Sequence, residues 1–128
     1  MDKIKSYRNL IVWQKAIKLV IAIYKLTETF PKSEVYGLTS QTRRAAVSIP
    51  SNIAEGSRRG SKKDFRHFVL NAYGSGAELE TQIEIAKNLN FGSPTDYSEA
   101  ESLLDETMRI LNRLAQSLQA THDPLQTL

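Results

Sequence analysis

The sequence predicts an all-α protein: an antiparallel up-down-up-down four-helix bundle occupying residues 1–128 as a single domain. Three observations predict it. Four long segments carry apolar residues at helical spacing. Each is bounded by proline, glycine or a capping residue. No stretch alternates apolar and polar residues as a half-buried strand does, and no internal repeat or low-complexity tract interrupts the chain. Four helices joined by short loops form a bundle of this kind.

Helix one is expected over about 10–29. Leu10, Trp13, Ala16, Ile17, Leu19, Val20, Ile23, Tyr24 and Leu26 leave only a narrow polar arc of Gln14, Lys15, Lys18, Ala22 and Lys25. The apolar arc spans roughly 200°, about twice the stripe that a surface helix needs. One side therefore packs on its own domain, and the other is a candidate subunit interface. Pro31 ends this helix by disfavouring helical geometry at Phe30. Helix two is expected over about 34–57, with Gly37 marking an irregularity near its start. Pro50 lacks an N–H, and its ring collides with the carbonyl of Ala46, which predicts a kink or a break. Ser48 and Ser51 stand close enough in sequence to compensate the freed backbone groups.

Helix three is expected over about 62–88, after Ser61-Lys62-Lys63-Asp64, which has the spacing of a capping box. Phe65, Phe68, Ala72, Leu79, Ile83 and Ala86 give its apolar stripe. Gly74-Ser75-Gly76 lies mid-helix at a cost of about 1 kcal/mol per glycine, which points to close approach by a neighbouring helix. Gly92 is the expected left-handed cap at the end. Ser93-Pro94-Thr95-Asp96 opens helix four, expected over about 94–120, with Pro94 at the first helical position. Its face is Tyr97, Ala100, Leu103, Leu104, Thr107, Met108, Leu111, Leu114, Ala115 and Leu118.

Composition excludes several functions. There is no cysteine, so disulfides, thiolate metal sites and cysteine nucleophiles are ruled out. The only histidines are His67 and His122, and neither follows a glutamate by three positions as in a helical di-iron site. Glu78, Glu80 and Glu84 read as a solvated face rather than a metal site. There is no phosphate-binding loop and no dinucleotide signature. The expectation is a protein that is not an enzyme and has no cofactor or metal. The apolar run from Leu10 to Ile23 is broken by Gln14, Lys15 and Lys18, too polar for a signal peptide and too short for a membrane span. A cytoplasmic location without membrane contact follows as an expectation.

Charge is the informative asymmetry. Residues 1–67 hold 14 Lys/Arg against 5 Asp/Glu, and residues 68–128 hold 3 against 9. Either a polyanion or acidic partner faces the basic half, or the two halves of one bundle attract each other. The candidate nucleic-acid-binding residues are Arg43, Arg44, Arg58, Arg59, Lys62, Lys63 and Arg66. Five of them crowd around the turn between helices two and three, where the helix N-terminus adds N–H groups suited to phosphate. The Arg43–Arg44 pair lies about 22 Å further along a straight helix, so the set predicts a track rather than a spot. The competing reading is internal pairing: Arg59 with Glu55, four residues earlier, and Arg43 and Arg44 with Glu34 or acidic helix four.

Several stretches carry a family resemblance: Trp13-Gln14-Lys15-Ala16, Phe30-Pro31, Glu34-x-Tyr36-Gly37-Leu38, Gln41-x-Arg43-Arg44-Ala45-Ala46-x-Ser48-Ile49, Asn52-Ile53-Ala54-Glu55-Gly56 and Glu78-Leu79-Glu80. Together with Leu10 and Gly74-Ser75, they cover most of residues 9–90. The chain resembles the small four-helix bundle proteins encoded within intervening sequences of bacterial 23S ribosomal RNA genes. Its fold is also similar to that of the accessory protein of diversity-generating retroelements, a basic homopentamer that works with a reverse transcriptase. The resemblance implies a homo-oligomer, a homopentamer in particular, and RNA, DNA or a nucleic-acid enzyme as partner. The function expected is a non-catalytic, oligomeric nucleic-acid-binding protein with RNA as target. The alternative is a protein-interaction scaffold docking an acidic partner protein.

Overall fold

The computed structural model describes residues 6–119. Four α-helices dominate it: α1 (Ile11–Thr27), α2 (Leu38–Ser57), α3 (Lys62–Asn88) and α4 (Ser98–Ser117). Short 3-10 turns at Tyr7–Asn9, Lys32–Glu34 and Pro94–Tyr97 precede α1, α2 and α4. There is no strand among the described residues. The expected fourth helix extended to residue 120, which lies outside them.

The helix starts follow local chemistry. Ser61 Oγ accepts from the Asp64 N–H at 3.1 Å and opens α3, one half of the expected capping box; the Asp64 carboxylate does not bond back to the Ser61 N–H. Asp96 Oδ2 accepts from the Ser93 N–H at 2.8 Å, so the second capping signature also forms. It caps a 3-10 turn, and the α-helix proper begins only at Ser98. The start of helix two differs more. Residues Lys32–Glu34 form a separate 3-10 turn, and α2 begins at Leu38 rather than at 34. Gly37 takes φ −112° and ψ −115°, a conformation that interrupts the helix. Glu34 Oε1 then accepts the Leu38 N–H at 3.0 Å and satisfies one donor of the new first turn.

Backbone geometry bears on two other expectations. Asn90, not Gly92, takes the left-handed position that closes α3, with φ 61°. The Phe91 N–H reaches back to the Ala86 carbonyl at 3.0 Å, completing the cap. Gly92 also has positive φ, 67°, and a Cβ there would sit 2.5 Å from Thr29 Oγ1. Pro50 does not break α2, which continues through it to Ser57. Ser48 does not serve the freed backbone; its hydroxyl pairs with Ser75 on α3 at 2.6 Å, while Asn52 Nδ2 donates to the Ser48 carbonyl at 2.8 Å.

Packing follows the ring order of the chain: α1 lies against α2 and α4, and α3 against the same two. Leu19, Ile23, Ile49, Ile53, Leu79 and Leu111 are fully buried at the centre. Ala22, assigned to the polar arc of helix one by its spacing, is buried as well. The glycines of α3 divide in role. A Cβ at Gly76 would lie 2.1 Å from Met108 Sδ, so Gly76 lets α4 approach; a Cβ at Gly74 meets nothing within 4 Å. Tyr97 is buried and donates to the Phe91 carbonyl at 2.6 Å; burial, then the nearby Asp96 and Glu101 charges, raise its phenol above the usual range. Gln82 Oε1 is the single buried side-chain polar atom without a partner among the described residues, at the cost of its lost hydration.

No described helix is long and apolar enough to cross a membrane. The expected wide apolar arc of α1 has a structural counterpart. Its inner side is core, while Ile17, Ile21 and Tyr24 on the outer side remain 36%, 54% and 41% exposed.

Candidate nucleic-acid interface

The turn between α2 and α3 sets the site. Gly56 in the last turn of α2 is buried, and a Cβ there would lie 2.6 Å from Phe68 Cβ. That close approach brings the two helix ends together and sends the intervening chain outward. Gly60, with φ 88°, turns it back toward Ser61. Arg58, Arg59, Lys62 and Lys63 are all exposed around this turn. Lys62 and Lys63 make no ion pair with another described residue.

Arg59 does pair internally. It bonds Glu55 Oε2 at 2.7 Å and lies 4.8 Å from the centroid of the Phe68 ring. Both charged groups are about half exposed, so the pair contributes little to stability. Arg66 is committed differently. Its Nε donates to the Ala115 carbonyl at 3.0 Å, so it satisfies an acceptor in the last turn of α4 and ties the start of α3 to it.

The Arg43–Arg44 pair lies near the start of α2 and the turn at its end, the separation along one helix that the sequence led us to expect. Arg43 is half-buried, and its Nε donates to Thr27 Oγ1 at 2.8 Å while its guanidinium covers the Tyr24 ring at 4.4 Å. Thr27 is itself buried and donates to the Ile23 carbonyl at 2.8 Å. Arg43 therefore caps the end of α1; it reaches neither Glu34 nor helix four. Arg44 is exposed beside it and lines an open groove of about 540 Å³ with Tyr24, Val35, Thr39 and Val47.

The structure adds residues that the sequence pattern did not single out. Tyr7 and Trp13 pack with ring centroids 5.2 Å apart. Arg8 lies 5.6 Å from the Tyr7 centroid and 5.7 Å from that of Trp13, and Arg58 lies 5.4 Å from the Tyr7 centroid. The turn that carries them is fixed at both ends: Ser6 Oγ accepts the Arg8 N–H at 3.1 Å, and Gln14 Nε2 donates to the Arg8 carbonyl at 2.8 Å. Helical periodicity placed Trp13 on an apolar face and ignored Tyr7 and Arg8, which precede α1. The local signal was an aromatic–basic dipeptide after a serine cap.

Carboxylates collect elsewhere. Glu80, Glu84, Glu101 and Asp105 line a shallow groove of about 240 Å³ between α3 and α4. Lys87, near the end of α3, donates to Glu101 at 2.8 Å, and this bond raises the ammonium pKa above its ordinary value. Among the described residues, no three His, Asp or Glu side chains are grouped to hold a metal ion. The cations of the α2–α3 turn are thus set apart from the acidic groove, and the arrangement suits a ligand that presents several phosphates to one end of the bundle.

No curated protein matches this chain. The sequence matches the family model described as 23S rRNA-intervening sequence protein over residues 8–113. That range begins just after Tyr7 and takes in Arg8, Trp13, both arginine pairs and all but the last few residues of α4, and the chain belongs to the 23S rRNA-intervening sequence protein family.

Proposed function

We propose that this protein is a non-catalytic, oligomeric, cytoplasmic nucleic-acid-binding protein whose target is RNA. The observation that carries the reading is the exposed cation cluster at the α2–α3 turn, Arg58, Arg59, Lys62 and Lys63, with Arg8 beside it and the carboxylate groove elsewhere. Binding in this reading is through phosphates, so RNA affinity falls steeply with salt, by close to one log–log unit per contact. A salt titration of the intact protein with RNA tests it; affinity that ignores salt would sink it.

The bundle in this reading runs up-down-up-down. Arg66 near the start of α3 meets Ala115 near the end of α4, and Lys87 near the end of α3 meets Glu101 near the start of α4. It assembles as a homo-oligomer, a homopentamer by family likeness. Two features support assembly. Ile17, Ile21 and Tyr24 form an exposed apolar stripe at positions three and four apart on α1. Gly74 costs helix stability with no neighbour in its own chain to require it. Ile17→Asp or Ile21→Asp is expected to shift the oligomer to monomer in light scattering, with helical content retained. An unchanged mass would show that this stripe is not the interface.

A scaffold for an acidic protein is the second reading. The groove beside Arg44, with apolar walls from Tyr24, Val35 and Val47, favours it. A pull-down with and without nuclease separates the two: RNA recovered supports the first, and one protein recovered regardless of nuclease supports the second.

A further inference from the structure

The aromatic turn beside the cation cluster has a more specific consequence. Phosphate recognition alone needs only charge and donors. Here Tyr7 and Trp13 remain half-buried with their rings 5.2 Å apart, next to the exposed guanidinium groups of Arg8 and Arg58. Neither Arg8 nor Arg58 pairs with a carboxylate among the described residues. Aromatic faces alternating with cations are the components of a surface that stacks bases while tracking a phosphate backbone.

We infer that Tyr7, Arg8, Trp13 and Arg58 form a stacking site for unpaired bases, so that the protein prefers single-stranded nucleic acid to duplex. The inference rests on the nucleic-acid reading above and narrows its substrate class. In a duplex both faces of each base are already stacked, and the aromatic rings have nothing to take up. An unpaired base can slide onto Tyr7 or Trp13 in place of a guanidinium. Arg8 is exposed and 5.6–5.7 Å from the two centroids, looser than Arg43 over Tyr24 at 4.4 Å. Displaced from the rings, Arg8 and Arg58 carry their donors to the phosphates flanking that base. The backbone of the turn need not move, because its bonds to Ser6 and Gln14 hold it independently of the arginine side chain.

Trp13 is the sole tryptophan of the chain, so its emission reports on this site alone. The full-length protein is titrated with an RNA of about 12 nucleotides lacking self-complementarity, with the duplex of the same sequence, and with inorganic polyphosphate. The single strand is expected to quench Trp13 emission along the same curve that describes binding; duplex and polyphosphate are expected to leave it unchanged. Tyr7→Leu is expected to weaken single-strand binding on the order of tenfold while sparing polyphosphate. Arg8→Lys keeps the charge and loses the planar stack; it is expected to narrow the preference for single strand over duplex. Tyr7 and Arg8 lie outside the core, so the variants are expected to fold, which circular dichroism checks. If RNA binds with a steep salt dependence but single strand and duplex compete equally and Trp13 emission is unmoved, this inference falls and the nucleic-acid reading stands. If no nucleic acid binds, both fall.

Discussion

Reversing the charge of Arg58 and Arg59 together, by Arg58→Glu and Arg59→Glu, is expected to weaken RNA binding for all sequences alike. Each arginine lost as a phosphate contact removes close to one unit from the log–log salt slope, so the double variant flattens it by about two units. Affinity at low salt is expected to fall by a factor on the order of 100, since two attractive contacts become repulsive. In a homo-oligomer the loss compounds, because every copy presents the altered patch to one ligand. The fold should survive. Both side chains are exposed, and the Arg59–Glu55 pair lost with them is a surface pair of small value. Arg43→Met and Arg66→Met serve as contrasts. Those arginines bond Thr27 Oγ1 and the Ala115 carbonyl, so their loss should appear as lower stability with little change in salt slope. RNA affinity unchanged across the salt titration in the Arg58/Arg59 variant would turn the argument toward the scaffold.

The second large effect is expected at Gly56. A Cβ there would lie 2.6 Å from Phe68 Cβ and 3.3 Å from the Phe65 carbonyl oxygen. Neither atom can swing aside as a long side chain does, because Phe68 Cβ is bonded directly to the α3 backbone. Gly56→Val must therefore push α3 away from α2 at the turn that displays the cations. Overpacking of this kind costs about 1–3 kcal/mol, and the branched side chain places further atoms in the same gap. For a chain of this length the melting temperature is expected to drop by roughly 5–10 °C. RNA affinity should fall too, since Lys62 and Lys63 ride on the displaced first turn of α3. A melting temperature at or above that of the parent would show that the two helices do not approach as closely as described. Gly76→Val, opposite Met108 Sδ, is a milder test, because a methionine side chain can rearrange.

The oxygen of Ser61 and the carboxylate of Asp96 did what their spacing required, since a cap is settled within three or four residues. For the same reason α3 occupies the residues expected, and α1 lies within two residues of its expected ends. Helix type and approximate length are short-range properties and could be read directly. So could the charge asymmetry, the absence of cysteine and the excess apolar surface of α1, which are matters of composition and period. The family was legible for a related reason, as the resemblance is carried by short local stretches spread over most of residues 9–90.

The division of labour among the arginines could be decided only by tertiary structure. Arg43 and Arg44 are neighbours in sequence and both line the open groove, yet a rotation of about 100° per residue ties one to Thr27 on α1 and leaves the other exposed. Arg66 belonged to the basic cluster by position, but an α4 carbonyl 49 residues away claims it. Tyr7 and Trp13 acquired meaning only when Arg58 arrived beside them from the far end of α2. Such pairings join residues on different helices, and no local pattern encodes which side chain another helix will present. Determined by the sequence alone are the four helices, the family and a surplus of positive charge. Packing decided which charges remain available to a ligand, because it spends some of them on helix ends and leaves the others in water.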